Sequence, residues 1–107
     1  MTLKEASELL KEFDEKYWVI PGDNKVKTRH MTLHMAKLLG KLGEVAERNE
    51  HRQNPDLTQL KKEVIPDLFI YALRLARFYE IDLEKVYLER QEENKKKVKS
   101  WGKNFQK

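Results

Sequence analysis

The segment Val64-Ile65-Pro66-Asp67-Leu68-Phe69-Ile70-Tyr71-Ala72-Leu73-Arg74-Leu75-Ala76-Arg77-Phe78-Tyr79-Glu80-Ile81 decides how this chain folds. Wound as an α-helix, it is apolar on most sides, which is the pattern of a helix surrounded by other helices. Its longest unbroken apolar run is Leu68 to Leu73. That is far short of the roughly 20 residues that cross a bilayer. The segment therefore predicts the central buried helix of a soluble bundle. Pro66 interrupts it. An interior proline removes one backbone hydrogen bond and strikes the preceding turn, at a cost of ~3 kcal/mol or more. A kink or break near Val64–Ile65 is expected.

Working outward, helical spacing continues in both directions. Asp56-x-x-Gln59 is a capping box that opens this third helix. Before it, Gln53-Asn54-Pro55 ends a second helix that Thr28 is expected to cap and that reaches about Asn49. The apolar stripe of the second helix is Met31, Met35, Leu38, Leu39, Leu42, Val45 and Ala46. Tyr17 to Lys27, with Pro21-Gly22-Asp23-Asn24 inside it, is turn chemistry. Thr2-x-x-Glu5 caps a first helix whose Leu3, Ala6, Leu9, Leu10 and Phe13 repeat at helical spacing. Leu9, Leu10, Phe13, Phe78 and Tyr79 are expected in the core. Downstream, Asp82 caps a fourth helix that is apolar only at Leu83, Val86, Tyr87 and Leu88. Its second half is expected to be solvated or to meet a partner. The expected fold is all-α: an antiparallel four-helix bundle in one domain over residues 1–107.

The chain has 107 residues and no cysteine, so disulfides and thiolate chemistry are excluded. Its formal charge is +4. Residues 95–107 hold six lysines and no acid, so residues 1–94 are net −2. The charge belongs to the tail, and a globally basic nucleic-acid binder is not implied. The N-terminus has neither the basic region nor the apolar region of a secretory signal, and a cytoplasmic protein is expected.

Three constellations carry chemistry. Glu44 and Glu47 are three apart on the second helix, and Glu63 and Asp67 four apart on the third. In an antiparallel pair these four carboxylates can converge, and such oxygen sets hold Mg²⁺ or Mn²⁺. Spacing alone favours solvated surface acids, because paired glutamates on helices are ordinary. His30 and His34 are one turn apart, the spacing of a shared metal, or of two polar histidines near a helix start. Six lysines with Trp101 and Phe105 have the composition of a nucleic-acid-binding tail, or of a solvated helix end.

Residues 36–98 resemble the MazG-like, all-α nucleoside triphosphate pyrophosphatase superfamily. The resemblance rests on four segments in order: Leu38-Leu39-Gly40-Lys41-Leu42-Gly43-Glu44-Val45-Ala46-Glu47, then Asp67 to Ala76, then Ile81-Asp82-Leu83 with Glu80 where the family has glycine, then Glu93-Asn94-Lys95-Lys96-Lys97. It implies a Mg²⁺-dependent hydrolase that splits nucleotides into a monophosphate and pyrophosphate, assembled as a homodimer or homotetramer. Glu44, Glu47 and Asp67 match acidic metal-site positions, with Glu63 as a substitute ligand. Tyr71 matches a position bordering the base, and Trp18 matches loosely an aromatic of the preceding loop. Asn94 and Lys97 match a pair associated with phosphate. Two positions depart from the pattern: Lys41 and Val64 stand where the family has glutamates. Exchanging Glu for Lys shifts the local charge by +2, as much as a divalent ion supplies. Lys41 is thus expected to pair with Glu44, Glu47 and Asp67 in place of the metal. A pyrophosphohydrolase with weakened or lost activity stands against a non-catalytic nucleotide-binding or interaction module. A nucleic-acid-associated helical protein using the tail is the third reading.

Overall fold

The first helix, α1, runs from Leu3 to Tyr17. Its start is the expected one: Thr2 Oγ1 accepts from the Glu5 amide at 3.1 Å and donates to the Glu5 carboxylate. This is the first element of the computed structural model, which describes residues 1–101. Lys103, Phe105 and Lys107 of the tail lie outside the described residues.

Helix α2 spans Asn24–Glu50 and begins earlier than Thr28. Asp23 is its cap, accepting from the Val26 amide at 3.0 Å. The carboxamide of Asn24 donates to the Phe78 carbonyl at 2.8 Å, which ties this start to the far end of the third helix. Thr28 instead lies inside α2. Its hydroxyl donates to the Asn24 carbonyl and shares a hydrogen bond with the Tyr79 hydroxyl. A cap thus won over a second, weaker cap because it came with a tertiary anchor.

Pro66 has the expected consequence in an unexpected form. Residues Leu60–Val64 wind as one π-helical turn, and α3 follows over Ile65–Phe78 with Pro66 in its first turn. The Ile65 amide reaches back five residues to the Leu60 carbonyl. A wider turn relieves the crowding that proline imposes on the preceding turn, so the helix continues without a break.

Helices α2 and α3 end alike. Arg52 and Glu80 take φ of +56° and +53°. At Glu80 the Ile81 amide donates to the Ala76 carbonyl and the Glu80 amide to the Arg77 carbonyl. This is the paired-bond helix stop that favours glycine at the left-handed position. Helix α4 then runs Leu83–Ser100, with Asp82 capping the Lys85 amide as expected.

No strand occurs among the described residues. Helix α3 is central: it packs against both α1 and α2, and α2 also packs on the π-turn. Partners along α2 and α3 run in opposite directions, from Asn24–Phe78 to His34–Tyr71, so the two form an antiparallel hairpin. The core is Met31, Leu38, Val64 and Tyr71, with Trp18, Met35, Leu68 and Leu75 packed against it. Met31 and Val64 are 0% and 1% exposed, each worth about 1.5–3 kcal/mol of burial.

Helix α4 buries no residue. It is not an equal member of the bundle. The radius of gyration is 17.4 Å, against about 13 Å for a compact chain of this length. Leu9, Phe13 and Tyr79 are exposed, contrary to expectation. The buried line of α1 contains Ala6 and Asp14, with Leu3 and Leu10 half-buried, so Leu9 and Phe13 turn away from it. Leu10 and Phe78 are half-buried.

Candidate functional site

One flank of the α2–α3 hairpin is polar. Lys41, half-buried, lines two small clefts there. The first, of about 130 Å³, also takes His34, Lys37, Leu38, Asp67 and Tyr71. The second, of about 160 Å³, takes Glu44, Arg48, Asp56, Gln59 and neighbouring apolar side chains. Each has room for a phosphate-sized group; a whole drug-sized ligand occupies about 300 Å³ or more.

Behind the first cleft lies a layer of rings and guanidinium. The Tyr71 and His34 rings stack at 6.0 Å, His30 lies 4.5 Å from His34, and Trp18 lies 5.9 Å from His30. The Arg74 guanidinium sits 4.0 Å over the Trp18 ring and 5.3 Å from Tyr71. Trp18 in turn stacks on Phe78 at 6.3 Å. Burial lowers the His34 pKa, and the charges of His30, Lys37 and Arg74 lower it further. Burial raises the Tyr71 pKa, and the phenol keeps its proton as a hydrogen-bond donor.

Arg74 is held by a residue 60 positions away. Asp14, 4% exposed, accepts from Arg74 Nε at 2.9 Å and Nη2 at 2.8 Å, and from Arg77 Nη2 at 2.6 Å. The composition of the faces carries the signal for this triad. Asp14 interrupts the line Leu3, Ala6, Leu10 on α1, and Arg74 interrupts the apolar run of α3. A charge in the middle of a buried stripe needs a buried partner.

The carboxylates do not converge. Among the described residues, no three His, Cys, Asp or Glu side chains are grouped so as to hold a metal ion. Asp67 is half-buried in the cleft of about 130 Å³, whereas exposed Glu44 lines the cleft of about 160 Å³ and shares a third with exposed Glu47, Arg48, His51 and Gln53. Glu63 is exposed on the π-turn, whose winding removes the face-sharing that four-residue spacing gives in an α-helix. The four-carboxylate Mg²⁺ or Mn²⁺ set expected from spacing therefore does not fit within one chain. Lys41 forms no ion pair with Glu44, Glu47 or Asp67 among the described residues. Its proximity to Asp67 is that of a shared cleft. Asn94 and Lys97 are exposed on α4 and line neither Lys41 cleft nor the one between Glu44 and Glu47.

The arrangement can attract an anion. Lys37 and Lys41 supply charge, Tyr71 and neutral His34 supply N–H or O–H donors, and Asp67 supplies one acceptor. Comparison of the chain with family models, curated proteins and solved structures finds no match in any of the three. No helix among the described residues is long and apolar enough to cross a membrane.

Proposed function

We propose that this chain is a MazG-like helical module that binds an anionic, nucleotide-type ligand on the polar flank of its α2–α3 hairpin, without metal-dependent hydrolysis. One observation carries the reading. Lys41 opens into the cleft of Asp67 and Tyr71, where the family pattern calls for acids, and among the described residues no three carboxylates are grouped to hold a metal ion. A fixed ammonium supplies positive charge for phosphate oxygens but no exchangeable position for an attacking water.

The second reading is Mg²⁺-dependent release of pyrophosphate from (d)NTPs. What favours it is that Glu44 and Glu47 share one cleft, so a second copy would need to complete their coordination. A homodimer or homotetramer belongs to both readings. Leu39 and Leu42 on α2 and Ile65 and Phe69 on α3 are exposed. Exposed apolar side chains of this size are where a second copy would pack.

Calorimetric titration with nucleoside mono-, di- and triphosphates, in EDTA and then in Mg²⁺ or Mn²⁺, tests the reading. Binding in EDTA that weakens about tenfold or more in Lys41→Glu supports it. Metal-dependent pyrophosphate release by the wild type, lost in Glu44→Gln or Asp67→Asn, overturns it in favour of the hydrolase.

A further inference from the structure

Helix α4 holds 18 residues and buries none of them. Its charge changes sign at one point. Residues 84–94 contain Glu84, Glu89, Glu92 and Glu93 against Lys85 and Arg90, a net of −2. Residues 95–99 contain Lys95, Lys96, Lys97 and Lys99 and no acid, a net of +4. Acids early and bases late suit a helix dipole, but that effect fades within the first and last turns. Glu89, Glu92, Lys95 and Lys96 lie in the middle, out of its reach. Two pairs bridge neighbouring turns, Arg90 to Glu93 at 3.1 Å and Lys95 to Glu92 at 3.0 Å. All four side chains are largely exposed, so these pairs add little.

We propose that α4 is a self-pairing element: it lies antiparallel against the α4 of a second copy, acidic half on basic half. Charge complementarity chooses both the occupant and the direction. Parallel pairing would set lysine on lysine. Antiparallel pairing centred near Asn94 sets the stretch Glu89–Glu93 of each copy beside the lysines 95–99 of the other. The same overlap brings Leu88 of one copy towards Val98 of the other, and both are exposed in the single chain. The contact is the same on both copies, so it closes at two. Its middle is polar, so the pairing weakens with salt. It is independent of the nucleotide reading.

Sedimentation velocity of the full chain at about 50 mM and about 500 mM salt reads it. The test pair is Lys95→Glu/Lys96→Glu/Lys97→Glu/Lys99→Glu and Glu89→Lys/Glu92→Lys/Glu93→Lys. Each variant alone is expected to lose one twofold association step at low salt, with helicity kept by circular dichroism. Mixing the two in equal amounts is expected to restore that step. Because the chain has no cysteine, Asn94→Cys and Leu88→Cys each carry one thiol. Antiparallel pairing gives disulfide dimers with Asn94→Cys and not with Leu88→Cys, whereas parallel pairing gives both. Unchanged association in either charge variant, no restoration on mixing, or low-salt association that depends on added oligonucleotide overturns the proposal.

Discussion

Replacing Asp14 with alanine removes the carboxylate that faces the Arg74 and Arg77 guanidinium groups in the interior. Arg74 is 5% exposed and keeps a full positive charge, while Arg77 already has one buried nitrogen, Nη1, without a hydrogen-bond partner. Asp14 accepts from Arg74 through two nitrogens and from Arg77 through a third. Each bond to a charged group contributes about 1.5–3 kcal/mol, but the three share one carboxylate and do not add. Breaking a buried pair by removing one partner costs about 3–5 kcal/mol, because the other charge stays buried. The Trp18 face beneath Arg74 offsets part of this. At about 5 °C per kcal/mol for a domain this size, Tm falls by roughly 15–25 °C. Thermal unfolding by circular dichroism at neutral pH measures it. Glu15→Ala, which breaks the exposed 4.0 Å pair with Lys11, is the control and shifts Tm by only a degree or two. A loss from Asp14→Ala no larger than the control refutes the reasoning. Recovery in Asp14→Leu/Arg74→Met/Arg77→Met would show that the penalty lay in the stranded charges.

Other expectations are smaller in scope. Glu80→Gly places at φ +53° the residue suited to it and is expected to raise stability by about 1 kcal/mol, read from urea unfolding. Gly43→Ala adds a methyl group that meets nothing within 4 Å, and raises stability by about 0.5–1 kcal/mol in the same assay. Met31→Ala empties a site that is 0% exposed and costs about 2–5 kcal/mol. The His34 pKa is lowered in the fold. The unfolded chain therefore takes its proton first, and stability falls as pH drops below about 6.5, levelling once the folded imidazole is also charged. NMR titration should place the His34 midpoint below that of a free histidine, and His30→Gln should move it back up.

The helices were legible because their determinants are local. Thr2 and Asp82 cap where their side chains predict, since a cap needs only the next three residues. Pro66 announced a distortion near Val64, although sequence did not show that a π-turn would absorb it. Thr28 misled as a start because Asn24 has a partner in Phe78, 54 residues on. The site was legible in part: Lys41, Asp67 and Tyr71 do share a cleft. The approach of Glu44, Glu47 and Glu63 was not, because it depends on helix rotation and on the winding of the π-turn.

The sequence alone determined an all-helical chain with a central, nearly all-apolar third helix, a charge reversal along the fourth and a lysine at position 41 among acids. Each of these is a property of periodicity or of one residue's chemistry, acting over a turn or two. Only the tertiary structure decided that Asp14 holds Arg74 and Arg77 across the interior, that Leu9 and Phe13 face outward, and that the carboxylates stay apart. Those outcomes follow from how helices rotate and cross to bury apolar surface while pairing the charges they bury, which no single helix specifies.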